Sequence, residues 1–244
     1  MTAGTSSPVN NFSITIATVN GSGSQTANNT VLRAIHKMGL PVSGKNIFPS
    51  NIQGLPTWFT IRVNLDGHLA RSGSYQVLVA MNKTSLKEDL EQLAPGGICL
   101  YPDDQQLPLQ RDDITCYPMP VTELVKQSGA DFKLKPYVAN IVYVGVLAWL
   151  LGIEMQEIEA ALAHTLGGKQ KAISLNGGTI TAAYDWAAAN LTKTDPFRLE
   201  RMDKTSGTFL IDGNSAAALG AIFGGVQFVA WYPITPSTSI IDML

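Results

Sequence analysis

Apolar and polar residues alternate or recur along the chain with two distinct periods, and the periods change at identifiable breaks. "FSITIATV" (12–19), "LPVSGKNIF" (40–48), "TWFTIRVN" (57–64) and "YQVLVAMN" (75–82) are β-rich apolar runs that predict strands. "GGICLYP" and "DITCYPMP" predict two further short ones. Between the first two runs, "NGSGSQ" breaks the strand and "TANNTVLRAIHKMGL" carries apolar residues at helical spacing. "SLKEDLEQL" predicts a second helix, with Ser85 as its N-cap and Glu88 completing a capping box. Strands alternating with helices imply a largely parallel sheet covered on both faces, an open doubly wound α/β domain.

From residue 121 to 192 the pattern becomes helical. "VTELVKQSG", "VANIVYVGVLAWLLGI", "EMQEIEAALAHTL" and "GTITAAYDWAAANL" follow one another and form a helical cap. The apolar run at 138–153 is shorter than the roughly 20 residues needed to cross a bilayer, carries Asn140 and leads into an acidic helix. It predicts a buried core or interface helix. The stretch "TKTDPFRLERMDKTSG" is polar, contains Pro196 and ends on a glycine, which marks a linker. After it the α/β rhythm restarts as a short strand, a Gly/Ala-rich helix and a second strand. The expected organisation is a loose tail at 1–11, an α/β domain at 12–195, a linker at 196–207 and the incomplete beginning of another domain at 208–244.

Composition narrows the classes. With 45% hydrophobic and 15% charged residues, the 244-residue chain is globular, and its net charge of −2 without a basic stripe excludes a nucleic-acid partner. The N-terminus lacks the apolar core of a secretory signal, so a soluble, cytoplasmic protein without a membrane partner is expected. Cys99 and Cys116 are the only cysteines and predict buried structural thiols; two cannot ligate an iron–sulfur cluster. His36, His68 and His164 show no metal-ligand spacing, and no metal site is expected from them.

Three places carry candidate chemistry. "NGSGSQT" (20–26) opens a helix after a strand, the position of a phosphate-binding turn, but the third glycine of a dinucleotide fingerprint is Thr26. A bound dinucleotide, a ligand-free turn, and a turn facing an anionic group or a subunit remain open. Lys45, with Ser43 beside it, is either a solvated surface charge or a cation for a carboxylate. Arg62 is expected to form an ion pair at the sheet edge. At the C-terminus, Pro233 and Pro236 bracket Ile234-Thr235, which holds the backbone before anything binds. Thr235, Ser237 and Thr238 then present hydroxyls at the carboxyl end of a strand, where open α/β sheets bind ligands.

"GNSAAALGAIFGGVQFVAWYPITPSTSIID" resembles the start of the pyrimidine-binding domain of the α subunit of thiamine-diphosphate-dependent 2-oxoacid:ferredoxin oxidoreductases. The segment from "ITIATVNGSGSQ" to "TWFTIRV" resembles the γ domain of the same enzymes, fused ahead of the α part as in the 2-oxoglutarate type. Ser24 and Thr26 depart from the glycines of that pattern. The resemblance implies a Rossmann-like γ domain with a helical cap, followed by the start of a pyrimidine-binding α/β domain. It implies oxidative decarboxylation of 2-oxoglutarate or another 2-oxoacid, with coenzyme A as co-substrate and ferredoxin as acceptor. Thiamine diphosphate with Mg2+ and a [4Fe-4S] cluster would be held mainly by a β-type partner subunit. Thr235 would contact substrate, Tyr232, Pro233, Ile234 and Pro236 would line the cofactor cavity, and Lys45 or Ser43 would meet a distal carboxylate. The pyrimidine domain would continue past residue 244 or be completed by a separate α-domain polypeptide. The rival readings are an NAD(P)-binding Rossmann-like oxidoreductase and a non-catalytic scaffold subunit.

Overall fold

The computed structural model describes residues 8–48, 54–108, 111–234 and 237–244, and the chain divides into two compact units, Met1–Ser206 and Gly207–Leu244. In the first unit the period-2 runs become β1 (Asn11–Val19), β2 (Val42–Ile47), β3 (Pro56–Asn64), β4 (Tyr75–Ala80), β5 (Leu93–Pro102) and β6 (Thr115–Met119). The helical runs become α1 (Ser24–Lys37), α2 (Leu86–Gln92), α3 (Val121–Gln127), α4 (Lys135–Leu151), α5 (Met155–Thr165) and α6 (Gln170–Asn190). The strands form one sheet in the order β2-β3-β1-β4-β5-β6.

The α/β class holds, with a mixed rather than largely parallel sheet. β1, β4, β5 and β6 run parallel, whereas β3 inserts antiparallel between β1 and β2. The reason is local: β2 and β3 are joined by a connection too short for a crossover, so they pair as a hairpin.

Alternate strand positions divide the core. Ala17, Leu78, Ala80 and Cys99 face a cluster closed by Leu86 and Leu90 of α2, with Trp58, Tyr101 and Leu107 at its margin. The intervening residues Ile14, Ile16, Val77, Val79, Ile98 and Leu100 are fully buried on the other face. That face is covered by the helical layer, in which α4 packs on α1, α3 and α6, and α5 on α1 and α6. α4 contains most of the apolar run at 138–153 and is buried along nearly its whole length; among the described residues no helix is long and apolar enough to cross a membrane. Gly145 lets α4 lie directly on the α6 backbone: a Cβ there would sit 2.2 Å from the Ile180 carbonyl oxygen.

Several sequence expectations change. Ser85 does occupy the N-cap of α2, but its hydroxyl donates to the Asp89 carboxylate (2.7 Å) and caps no helix amide. Residues 8–11 are not a loose tail. Asn10, buried at φ 55, receives the Glu200 amide on its Oδ1 and donates Nδ2 to the Glu200 carbonyl, at 2.8 and 2.9 Å. Asparagine tolerates that left-handed backbone better than most side chains.

The supposed linker is likewise a strap tied to the first unit. Asp195, buried, accepts from Tyr117 Oη (2.7 Å), Lys193 Nζ (2.6 Å) and the Phe197 amide (3.0 Å). Phe197 meets Phe12 edge to face at 5.6 Å. The amides of Leu199, Met202 and Lys204 donate to the carbonyls of Leu151, Met38 and Gly39, and Arg201 pairs with Glu154 and Glu157. Its polar residues are used in tertiary pairing, which composition alone does not distinguish from solvation.

The second unit consists of α7 (Gly213–Phe223), α8 (Thr238–Ile241) and extended chain. The two strands expected around α7 are not formed as hydrogen-bonded strands among its described residues. A strand needs a neighbour to pair with, and this stretch supplies no sheet. Among the described residues of the unit only Ala218 is buried; Phe209, Phe223, Phe228 and Tyr232 are each more than two-thirds exposed.

Candidate functional site

In the first unit the glycine turn sits at the carboxyl end of β1, as the strand–turn–helix pattern requires. Gly21 and Gly23 take positive φ (84 and 78), which only glycine adopts without strain. Ser24 Oγ and Thr18 Oγ1 share a hydrogen bond (2.9 Å) that closes the turn. The approach that Gly23 permits is filled by the chain itself: a Cβ there would lie 2.2 Å from the Tyr137 ring at the start of α4. One turn further along, Asn140 Nδ2 donates to the Ser22 carbonyl at 2.9 Å. In a dinucleotide fold that close approach belongs to the pyrophosphate. Here it belongs to an aromatic ring.

Ser43 and Lys45 lie on edge strand β2, on the sheet face opposite α1. Neighbouring positions face α1: Asn46 Nδ2 donates to Gln25 Oε1 (3.3 Å), and a Cβ on Gly44 would meet Leu32. The structure therefore does not gather Lys45 with the glycine turn. Lys45 is exposed, whereas Ser43 donates its only hydroxyl proton to the Leu69 carbonyl at 2.6 Å. Ser43 thus has no donor left for a carboxylate. The ion pair expected at Arg62 is replaced by a hydrogen bond from Nη2 to Asn11 Oδ1 (2.8 Å).

In the second unit Tyr232, Pro233 and Ile234 are exposed, and Thr235 and Pro236 lie outside the described residues. The Ile234 carbonyl is the hub of the turn's exit. It accepts from Ser237 Oγ (2.8 Å), the Thr238 amide (3.2 Å) and Thr238 Oγ1 (3.3 Å). Ser237 stands at the N-cap of α8, but its hydroxyl points back to Ile234 and caps no helix amide. Asn214 Nδ2 donates to Ser239 Oγ at 2.6 Å and joins the start of α7 to the exit of the turn. Sequence reasoning missed Asp212. It caps α7 by accepting from the Ser215 amide (3.0 Å) and hydroxyl (2.7 Å), bonds that hold its carboxyl below the usual range. The signal was present as Asp-Gly-Asn-Ser before an apolar run.

These residues offer a short apolar wall beside hydroxyls. Among the described residues no group of three or more His, Cys, Asp or Glu side chains could hold a metal ion. A buried carboxylate with a raised pKa lies elsewhere, in the first unit. Burial raises the pKa of Asp89 on α2, which accepts from Trp58 Nε1 of β3 and from Ser85 Oγ, both at 2.7 Å.

Comparison with known proteins places this geometry among relatives. Residues 13–186 match the family model described as pyruvate ferredoxin/flavodoxin oxidoreductase. The chain is 23% identical over 269 residues to subunit alpha of 2-oxoacid:ferredoxin oxidoreductase 2 from Aeropyrum pernix, covering 93% of this chain and 41% of that one. It therefore spans about two fifths of that relative's length. Among solved structures, 2-oxoglutarate:ferredoxin oxidoreductase from Magnetococcus marinus, with 2-oxoglutarate, coenzyme A and succinyl-CoA bound, superposes with TM-score 0.82 at 24% identity. That match covers 96% of this chain and 41% of the other. The keto/oxoacid ferredoxin oxidoreductase gamma subunit from Geobacter sulfurreducens matches with TM-score 0.59 at 17% identity, over 73% of this chain and 99% of that one.

Proposed function

The chain belongs to the pyruvate ferredoxin/flavodoxin oxidoreductase family, and from that premise we propose that it supplies the γ-type domain and the opening of the pyrimidine-binding domain of a cytoplasmic, thiamine-diphosphate-dependent 2-oxoacid:ferredoxin oxidoreductase. The reaction is oxidative decarboxylation of 2-oxoglutarate or another 2-oxoacid, with transfer of the acyl group to coenzyme A and of electrons to ferredoxin. One observation carries the reading. The family domain at 13–186 is followed in the same chain by Asn214, α7 and the "YPITPS" turn. A 2-oxoglutarate enzyme with coenzyme A bound shares the fold over 96% of this chain, which supports that choice of substrates.

Thiamine diphosphate supplies the electron sink when bound. By the family resemblance its diphosphate and Mg2+ belong to a β-type partner subunit, which also carries the [4Fe-4S] cluster, for which this chain's two cysteines are too few. The remaining α-domain polypeptide completes the second unit. This chain contributes recognition. Thr235 donates a hydrogen bond to the substrate, Tyr232, Pro233, Ile234 and Pro236 exclude water beside it, and Lys45 pairs with a distal carboxylate. The packing of Tyr137 on Gly23 counts against the NAD(P) rival, because the space a pyrophosphate needs is occupied.

The test is reconstitution. Combined with its α-domain remainder and β-type subunit, the chain should support viologen reduction that requires both 2-oxoglutarate and coenzyme A, and alone it should support none. Activity of the chain alone, or micromolar NAD(P)H binding by fluorescence titration, would overturn the proposal. Full activity of the assembly with Thr235→Val would favour a scaffold role.

A further inference from the structure

Read along the sequence, Cys99 and Cys116 are two unrelated thiols, but the sheet sets them side by side. β5 and β6 run parallel, with Cys99 in register with Cys116. Neighbouring strands lie about 4.8 Å apart, within the roughly 4.4–6.8 Å Cα separation that a disulfide spans. In-register residues of adjacent strands point to the same face, and both thiols pack in the α2-side cluster. Both are free. Cys99 is fully buried, while Cys116 is half-buried on β6, the last strand of the sheet. An oxidant arriving at the edge therefore meets Cys116 first and finds Cys99 directly behind it.

We infer that Cys99 and Cys116 form an oxidant-responsive pair that closes a β5–β6 disulfide on exposure to a hydroperoxide and reopens with a dithiol. In the first step the Cys116 sulfur attacks the peroxide O–O bond. A sulfenic acid forms, the sulfur is oxidised by two electrons, and the peroxide leaves as water or an alcohol. In the second step the Cys99 sulfur attacks the sulfenyl sulfur, the S–S bond forms and a second water carries away the hydroxyl and the thiol proton. A dithiol reverses the result by exchange and is itself oxidised to a disulfide. Burial pushes both thiols up, so the resting pair is protonated and slow to attack. Proximity favours the second step once the first has occurred. The same edge strand carries Tyr117, whose hydroxyl holds Asp195 of the strap, so the bond would stiffen the strand on which the strap is anchored.

Trypsin cuts at Arg111, between the two cysteines, so peptide mapping resolves them. The full-length polypeptide is treated with hydrogen peroxide, denatured, alkylated with iodoacetamide and digested. The expected result is simultaneous loss of both alkylatable thiols and a cross-linked Cys99–Cys116 peptide, lighter than its two parts by two hydrogens and abolished by dithiothreitol. In Cys116→Ser, Cys99 should stay fully alkylatable at the same dose. In Cys99→Ala, Cys116 should be trapped by dimedone as the sulfenic acid. Three outcomes overturn the inference: Cys116 passing to sulfinic acid while Cys99 stays reduced in the unsubstituted protein, cross-links between chains, or neither thiol reacting at a dose that oxidises glutathione.

Discussion

Gly145 on α4 and Gly178 on α6 give opposite answers to the same substitution. In Gly145→Ala the new methyl would lie 2.2 Å from the Ile180 carbonyl oxygen and 2.8 Å from both the Ala183 Cβ and the Tyr184 amide nitrogen. Real Cβ contacts essentially never fall below 3.0 Å, so the two helices must part by most of an ångström. A gap of about 0.5–1 Å forfeits roughly a quarter to a half of each van der Waals contact across the seam. Overpacking of this kind costs about 1–3 kcal/mol, and backbone as the obstacle argues for the upper end. Alanine's helix propensity returns about 1 kcal/mol. The net is a loss of about 2 kcal/mol, or a thermal midpoint lower by about 4–8 °C for a chain of this size. Gly178→Ala meets nothing within 4 Å and keeps only the propensity term, so its midpoint should rise by a few degrees. Both variants are measured by circular dichroism at one scan rate. A Gly145→Ala chain as stable as the parent, or two variants shifted in the same direction, would refute the reasoning.

Asn10→Ala removes both reciprocal bonds to Glu200 and places alanine at φ 55; a loss of about 1–3 kcal/mol is expected, read as faster hydrogen exchange at residues 198–205. Asp89→Asn keeps the Trp58 bond and lets the Ser85 hydroxyl turn to accept, while removing a buried charge. Because the folded pKa of Asp89 is raised, the native state binds the proton more tightly; that contribution is full below the ordinary value of 3.8 and is lost as pH rises through the folded value. The variant should lose this decline, and urea midpoints at several pH values check it; an unchanged slope would contradict it. Thr235→Val should lower kcat/KM of the assembled enzyme by about tenfold to a hundredfold with little change in thermal midpoint. Ser237→Ala, which deletes the bond to Ile234, should cost about 0.5–1.5 kcal/mol of local stability with less effect on turnover. Lys45→Met should raise KM for 2-oxoglutarate and leave that for pyruvate unchanged; equal effects on both would dismiss the carboxylate contact.

The elements were legible because their causes are local. Alternation in "FSITIATV" and helical spacing in "TVLRAIHKMGL" are visible within a dozen residues, and β1 and α1 form where those patterns lie. The prolines around Ile234-Thr235 are equally local and mark the turn without reference to any neighbour. What the glycine turn faces was not local. Tyr137 and Asn140 reach it from α4, and the Asn140–Ser22 bond spans 118 positions of sequence. The same holds for residues 192–206, whose polar composition reads as a linker until Tyr117, Asn10 and Glu154 arrive to pair with them. Cys99 and Cys116 became neighbours only through the β5–β6 register. In the first unit sequence by itself determined which segments are strands, helices and turns, because backbone sterics and hydrophobic periodicity act over a few residues. The runs flanking α7 form no strand among the described residues, for want of a sheet to pair with. Tertiary structure alone decided which polar groups are spent on one another, because a hydrogen-bond partner is chosen by distance in space.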